Sequence, residues 1–449
     1  MLTMFDTDFL IVGAIILIEL LLLRYAMKHN LRQGTYLNMF YLLYYIFQGG
    51  LSCFILFLDK DFLLANTSSS VSIPIRVSIL PYCIGTLLAI IGILIGMIIS
   101  NRVYRNNNEI KWSERIEMLS YNYNIDRFCI LLAIGFSFSI LVSLVPSYLI
   151  SALSLTFAFS PLLAGILWES LTAGTRTVWK LALFIAFLFH TLQGSRGLAI
   201  FPLVAFAFGY LFCISDDRNK MKKTIRLYVV IALVSIPFLG FVQTYRENMG
   251  RGNEISLQTF TEMLNFAGSS DVANHEEGIY ASYGRLLNHT NNVVVVMTPS
   301  IVPFRGFEAM DQEIASIFQV LGADDSQSFR KNRADMGYST GIATRYGFRV
   351  TEDTSVEFGM FADAYSRFGY FGIFIYSILF AIILALMEKW CCNHSFNRPL
   401  LTTVLLTFLL YNGALNYMYS YYSFFKIVLV RGIVVVVCTK FLGLICTNR

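Results

Sequence analysis

Long apolar runs separated by short polar connectors are the dominant pattern of this chain. A run of about 20 apolar residues is long enough, as a helix, to cross the ~30 Å hydrocarbon core of a bilayer. The run at 150–168 is interrupted by Pro161 and Gly165. The pattern therefore predicts an all-α polytopic membrane protein with about eleven transmembrane helices. The predicted spans are 9–23, 36–58, 78–99, 128–147, 150–168, 178–193, 198–215, 227–243, 368–387, 399–416 and 427–445.

Composition supports the membrane interpretation. The chain has 449 residues, of which 56% are hydrophobic and 14% are charged, whereas about a quarter of an ordinary soluble chain is charged. The first apolar run is followed by Arg24, Lys28 and Arg32 without a small-residue cleavage site. We therefore expect a retained helix at the N-terminus rather than a removed signal peptide.

The distribution of basic residues predicts the orientation of the helices. The connectors 24–35, 100–127, 169–177, 216–226 and 388–398 carry sixteen Lys and Arg together, against four in the alternate short segments. Positive charge is retained on the cytoplasmic side of a membrane. We expect the N-terminus outside, the C-terminus in the cytoplasm, and the chain in a cytoplasmic membrane.

The predicted orientation places one long segment, 244–366, on the outer face between spans 8 and 9. A connection of this length is usually functional. Apolar residues at three- and four-residue spacing in 256–268 and 307–321 predict helices within it. We expect three regions: spans 1–8 (1–243), an extracytoplasmic helical cap (244–366) and spans 9–11 (367–449).

Arginine is strongly preferred over lysine in the predicted outer segment. Eight of its nine basic residues are Arg, beside sixteen Asp and Glu. The planar guanidinium binds phosphate or carboxylate oxygens in a bidentate manner, whereas lysine acts as a point charge. The bias favours an anionic ligand; the alternative is that these arginines only pair with the acids of the segment. They are Arg246, Arg251, Arg285, Arg305, Arg330, Arg333, Arg345 and Arg349.

A further arginine, Arg196, lies in the sequence GSRG between spans 6 and 7. Gly194 and Gly197 favour a sharp turn that allows close backbone approach to a ligand. The predicted topology puts this turn at the outer surface, where we expect an anion site. The alternative is an arginine that extends to lipid headgroup phosphates.

Three short motifs resemble bacterial O-antigen and capsule repeat-unit polymerases, the Wzy family. They are GSRG before an apolar helix, the Pro-rich MTPSIVPFRGFEAMDQEI at 297–314, and MFADAYSRFGYFG at 360–372. The third motif is similar to the family's Gly-Glu-aromatic-(x)-Phe-Gly sequence, which precedes one of the last transmembrane helices. This chain has Asp363 where the family usually has Glu. The arginine–glycine repeats of some members are not evident, so no roles are transferred from them. The resemblance implies a GT-C-like arrangement of helices.

The resemblance implies transfer of a growing glycan from undecaprenyl diphosphate to an incoming lipid-linked unit, on the outer face of the inner membrane. This reaction needs cations that stabilise the leaving diphosphate and a base for the attacking hydroxyl. Arg196 and Arg285 are candidate catalytic cations; Arg246, Arg251, Arg305, Arg345 and Arg349 are candidate diphosphate ligands.

The candidate bases are His289, Glu357 and Asp363. If 282–292 is helical, Arg285 and His289 share one face, and histidine titrates near neutrality. The alternatives are a locally hydrogen-bonded histidine and carboxylates that only favour a helix start.

No cofactor is expected, because the chain has no Gly-rich phosphate loop. Asp59 and Asp61 have a spacing compatible with a divalent ion, but Lys60 competes for both carboxylates, so no metal is predicted.

The expected partners are the lipid-linked oligosaccharide, membrane lipid and a chain-length regulator, and no nucleic acid. An O-antigen ligase-type enzyme and a lipid-linked oligosaccharide flippase are the alternatives. A transporter is less favoured, since such proteins spread polar residues through several spans and contain repeats.

Overall fold

A computed structural model describes residues 7–29, 36–49, 76–103, 112–142, 155–192, 196–214, 217, 219–228, 230–231, 360–412 and 421–447. Within these ranges the protein is helical, and the only β-type pairing is an isolated bridge between Tyr123 and Thr447. The all-α prediction is therefore confirmed for the described part of the chain.

The described α-helices are numbered here in chain order. They are α1 (Thr7–His29), α2 (Tyr36–Gln48), α3 (Arg76–Val103), α4 (Trp112–Asn122), α5 (Ile125–Val142), α6 (Ser160–Ile166), α7 (Ala173–Leu192), α8 (Arg196–Cys213), α9 (Met360–Asn393), α10 (Pro399–Leu410) and α11 (Tyr421–Cys446). Short 3₁₀ helices at Leu155–Phe157 and Trp168–Ser170 flank α6, so the apolar run that contains Pro161 and Gly165 is broken, as its sequence indicates.

Three of the described helical segments are long and apolar enough to cross a membrane: Leu80–Arg102, Met360–Asn393 and Ile427–Cys446. Ala199–Cys213 and Pro399–Leu410 are shorter apolar helices. The finer expectation of about eleven spans stays a prediction. The predicted span 227–243 falls almost entirely outside the described residues, and so do the predicted helices at 256–268 and 307–321.

The chain divides into two compact units, one formed by Met1–Glu109, Gly284–Trp390 and Asn412–Val430. In this first unit α1, α2 and α3 pack on one another, and α3 also packs against α9 through glycines. A Cβ atom on Gly92 would lie 2.8 Å from the carbonyl oxygen of Phe374, and one on Gly96 would lie 2.7 Å from that of Ile378. Small residues four apart let two helix backbones approach closely, as in associating membrane helices.

Two adjacent side chains of α9 bind the ends of two other helices in the first unit. Both carboxylate oxygens of Glu388 accept hydrogen bonds from the start of α2, from the backbone N–H groups of Tyr36 (2.7 Å) and Leu37 (3.0 Å). Lys389 donates from Nζ to the carbonyl oxygen of Ser100 near the end of α3, at 2.8 Å. Each charge complements the dipole of the helix end it meets. These contacts bring together the start of α2, the end of α3 and the end of α9, all of which are predicted to lie on the cytoplasmic side.

The second unit consists of Ile110–Tyr283, Cys391–Tyr411 and Arg431–Arg449. In this unit α6 packs against α8 at two glycines. A Cβ atom on Gly165 would collide with the carbonyl oxygen of Phe206, and one on Gly209 would collide with that of Leu162. Helix α7 packs on α5, where buried Trp179 donates from Nε1 to the carbonyl oxygen of Cys129 at 3.2 Å.

Polar contacts of the second unit also join segments that are predicted for one side of the membrane. The backbone N–H of Asn124 donates to the carbonyl oxygen of Cys446 at 2.7 Å, and that of Thr172 donates to Asp126 Oδ1 at 2.9 Å. Lys220 and Glu169 form a 2.6 Å ion pair. The hydrogen bond from Lys220 lowers the pKa of the Glu169 carboxyl below its ordinary value. The contacts agree with the predicted alternation of connectors, while the orientation in a membrane stays a prediction.

Candidate functional site

A buried ion pair lies in the first turns of α9. Arg367 donates from Nε to Asp363 Oδ1 at 3.0 Å, and the two side chains are only 4% and 8% exposed. Their spacing of four residues puts them on one face of the helix. Ionised side chains within apolar helices are costly and usually have a function, so this pair is the centre of the candidate site.

The second carboxylate oxygen of Asp363 holds the start of another helix. Asp363 Oδ2 accepts a hydrogen bond of 3.1 Å from the backbone N–H of Tyr421, the first residue of α11. The first N–H groups of a helix have no acceptor within it, and a negative charge there is stabilised by the helix dipole. Asp363 therefore links α9 to α11 while it neutralises Arg367.

The hydroxyl group of Tyr421, whose backbone N–H binds Asp363, meets the hydroxyl groups of two other tyrosines. The Tyr421 hydroxyl is hydrogen-bonded to that of Tyr41 and, at 3.2 Å, to that of Tyr45. All three tyrosines are buried. The ring of Phe380 packs edge-to-face against Tyr41 and Tyr421, with centroids 4.8 and 5.1 Å apart. Helices α2, α9 and α11 are thus joined by a polar network enclosed in aromatic rings, here called the Asp–Arg–Tyr cluster.

The helical backbone of α9 breaks immediately after Arg367. Phe368 has φ −142° and ψ 19°, and Gly369 has φ 62° and ψ −144°. This conformation at Gly369 is essentially confined to glycine. After the break, Tyr370 donates its hydroxyl proton to the carbonyl oxygen of Pro81 at 3.1 Å. The Phe-Gly pair of the third motif thus has a structural reason: it separates the turns that carry the ion pair from the long apolar helix.

We expect Gly369→Ala to lower the free energy of unfolding by about 1–3 kcal/mol, because alanine is strained at this φ and ψ. The measurement is chemical unfolding of the purified protein in detergent. Gly13→Ala is the matched control, since a Cβ there meets nothing within 4 Å and alanine favours a helix. Equal stability of the two variants would contradict the assigned conformation.

Asp363 is the only sequence-predicted site residue whose side chain falls in the described part of the chain. Arg196 is the first residue of α8, and its side chain lies outside the described residues. The other candidates also lie outside them, so their mutual arrangement stays a prediction. They are Arg246, Arg251, Arg285, His289, Arg305, Arg345, Arg349 and Glu357.

Sequence reasoning missed the partners of Asp363. The i, i+4 spacing of Asp363 and Arg367 is visible in the sequence DAYSR and is a known signal for a helical ion pair. Tyr421 lies in the aromatic-rich stretch 409–426, which fits an interfacial belt equally well. Nothing near Tyr41 or Tyr45 in sequence indicates their meeting with Tyr421, because the three come from distant parts of the chain.

The hydrogen bonds of Asp363 determine what chemistry it can perform. Its two oxygens accept from a guanidinium and from a backbone N–H, so both oxygens already have donors within the protein. Asp363 is better suited to position α11 and Arg367 than to accept a proton. Among the described residues, no three His, Cys, Asp or Glu side chains lie close enough together to bind a metal ion.

No protein-family model, curated protein or solved structure matches this chain. The resemblance to repeat-unit polymerases therefore depends on the three short motifs, of which MFADAYSRFGYFG contains the Asp–Arg pair and the break at Gly369.

Proposed function

We propose that this protein is a membrane glycosyltransferase that polymerises undecaprenyl-diphosphate-linked oligosaccharide repeat units. The observation that carries the proposal is the buried Asp363–Arg367 ion pair, which lies in the turns of α9 before the break at Gly369 and the long apolar helix that follows. Ionised side chains buried at the start of an apolar helix are costly and usually have a function. The pair lies in the motif that resembles the polymerases, at the junction of predicted span 9 and the segment 244–366 with its eight arginines.

The proposed reaction is a displacement at an anomeric carbon on the outer face of the inner membrane. The hydroxyl oxygen of the terminal sugar of the incoming unit forms a bond to the anomeric carbon of the growing glycan. The bond from that carbon to the diphosphate breaks, and undecaprenyl diphosphate leaves with the electron pair. A protein base accepts the hydroxyl proton, and guanidinium groups stabilise the charge that develops on the diphosphate. This chemistry requires no nucleotide sugar or other cofactor.

In this proposal, arginines of the outer segment and of the GSRG turn contact the diphosphate of the lipid-linked donor. Arg196 and Arg285 would stabilise the leaving group, and the remaining candidates would bind the diphosphate: Arg246, Arg251, Arg305, Arg345 and Arg349. We assign the base to His289 or Glu357 ahead of Asp363, because the Asp363 oxygens are already engaged by Arg367 and Tyr421.

Deletion of the gene, followed by gel electrophoresis of surface polysaccharide, tests the proposed activity. Loss of a polymerase leaves single repeat units attached to lipid or core. Loss of a ligase-type transferase leaves unattached polymer, and loss of a flippase leaves neither form at the surface. Either of the last two patterns would contradict the proposal.

Arg196→Ala is expected to abolish glycan chain growth while the amount of membrane-inserted protein stays at the wild-type level. Arg226→Ala removes the same charge from an exposed position on the predicted cytoplasmic side and should leave chain length unchanged. Both variants are compared in the deletion strain by the same gel and by quantitative immunoblot. Wild-type chain lengths with Arg196→Ala would remove this residue from the diphosphate site.

A further inference from the structure

A second buried arginine, Arg115, lies in the second unit in the first turn of α4. The residue is 2% exposed, and its guanidinium carbon lies 5.8 Å from the centre of the Trp112 ring. Its Nη2 donates to Cys392 Sγ at 3.2 Å. No described Asp or Glu forms a salt bridge with it; the ion pairs among described residues involve Arg176, Lys220 and Arg367. Arg115 is therefore a buried cation without a carboxylate partner in the described part of the protein.

Two hydrogen-bond donors at this position have no acceptor within the described structure. They are Nη1 of Arg115 and the indole Nε1 of Trp112, which is 4% exposed. Buried donors without a partner are rare in folded proteins, and a buried unpaired charge is especially unfavourable. The guanidinium carbon of Arg115 lies 5.8 Å from the centre of the Trp112 ring, so the two donors are near enough for a single acceptor molecule to bind both.

The same turn is the N-terminus of α4, which begins at Trp112 and continues to Asn122. The first N–H groups of a helix have no acceptor within the helix, and its dipole places partial positive charge there. A helix N-terminus combined with a guanidinium is well suited to phosphate oxygens. Glu114, the acid of this turn, is exposed and so does not occupy the buried position.

We propose that Arg115, Trp112 and the N-terminus of α4 bind a phosphate-type anion on the predicted cytoplasmic side. Its surroundings are Cys392 and the ring of Phe212, whose centroid is 5.5 Å from that of Trp112. The ligand is free phosphate or the phosphate of a lipid headgroup, both of which present negatively charged phosphate oxygens as acceptors. This site is independent of the proposed glycan transfer, which is assigned to the outer face.

The test is a titration of the purified full-length protein in a maltoside detergent, which contains no phosphate. The thermal unfolding midpoint is followed with sodium phosphate, with short-chain phosphatidylglycerol, and with diacylglycerol of the same chain length. Sodium chloride keeps the ionic strength constant. A ligand that binds only the folded state raises the midpoint as its concentration rises.

We expect phosphate or phosphatidylglycerol, but not diacylglycerol, to raise the midpoint of the wild type. A response to sodium phosphate, with or without a response to the lipid, shows that free phosphate is sufficient, and a response to the lipid alone assigns the headgroup. Arg115→Met should abolish the response, while Arg127→Met, which removes an exposed arginine from the same predicted side, should keep it. Trp112→Phe keeps an aromatic ring but removes the indole N–H, and it should weaken binding by about ten-fold, as expected for a lost hydrogen bond to a charged group.

Two outcomes would overturn the proposal. One is a wild type whose midpoint responds to neither phosphate compound. The other is an Arg115→Met variant that responds as strongly as Arg127→Met. If no anion binds but Arg115→Met slows alkylation of Cys392 at neutral pH, the Cys392 thiolate is the counterion and the proposal is wrong. Should Arg115→Met fail to fold, the comparison of Trp112→Phe with Arg127→Met decides: an undiminished response in Trp112→Phe would then overturn the proposal.

Discussion

Arg367→Met is expected to lower the free energy of unfolding by about 3–5 kcal/mol, because it leaves Asp363 as a buried carboxylate without its cation. The side chains of the pair are 4% and 8% exposed, so water cannot replace the lost partner. Asp363 would keep only the hydrogen bond from the backbone N–H of Tyr421. Chemical unfolding in detergent measures the loss, with Arg226→Met as the control for removal of an exposed arginine.

The double variant Asp363→Leu, Arg367→Met should recover part of this stability, although the backbone N–H of Tyr421 loses its acceptor. Replacing both members of a buried ion pair by apolar residues is often neutral or stabilising, whereas removing one member is strongly destabilising. A double-mutant cycle isolates the pairwise contribution from the two single effects. A double variant that is as unstable as the worse single variant would show that the pair does not act as a unit.

Glycan chain growth in a further variant, Asp363→Asn, separates two roles for Asp363. If the aspartate only positions α11 and Arg367, part of the chain growth should remain, because the amide oxygen of asparagine can still accept a hydrogen bond. If Asp363 is the base, chain growth is lost in Asp363→Asn although the protein folds. Surface-polysaccharide gels in the deletion strain provide the measurement.

The helical architecture was predictable because membrane helices are encoded locally. A run such as 78–99 carries its own length and hydrophobicity, and the described helix Arg76–Val103 contains it. The connector 100–127 is predicted as the charged interval between two apolar runs, a pattern that does not distinguish a loop from a polar helix. Its helix α4 (Trp112–Asn122) has a mixed face that buries Trp112, Arg115 and Leu119.

The contacts between helices were harder to predict from the sequence than the positions of the helices. Gly92 and Gly96 have the four-residue spacing of a known helix-association motif, so their contact with α9 could have been predicted as a helix interface. The surface of α9 around Phe374 and Ile378 could not have been predicted as their partner, because the sequence does not show which helices pack together.

The candidate site was predictable only in part, for a related reason. Asp363 was identified from its motif, and Arg367 follows it at helical spacing. The backbone N–H of Tyr421 is 58 residues away from Asp363, and the Tyr41 hydroxyl reaches Tyr421 across 380 residues of sequence. Contacts of this range depend on how helices assemble, and assembly is decided by packing over many residues rather than by any short pattern.

Leucine at Gly209 is expected to prevent the native packing of α6 against α8 and to cost about 3 kcal/mol or more, the upper range for an overpacked core. A Cβ atom at Gly209 would collide with the carbonyl oxygen of Leu162 and lie 2.9 Å from the backbone nitrogen of Ile166. It would also lie 3.0 Å from the Cα of Gly165. These neighbours are backbone atoms, which cannot rotate away as a side chain can, so the two helices must separate.

Gly174→Leu is the matched control for this substitution, because a Cβ atom at Gly174 in α7 meets nothing within 4 Å. It adds the same apolar bulk to another helix of the second unit. Gly209→Ala should have an intermediate effect, since the clash begins at Cβ and the remaining leucine atoms enlarge it. Chemical unfolding and size-exclusion profiles in detergent distinguish the three variants. If Gly209→Leu is as stable and monodisperse as Gly174→Leu, the glycine contact between α6 and α8 is wrong.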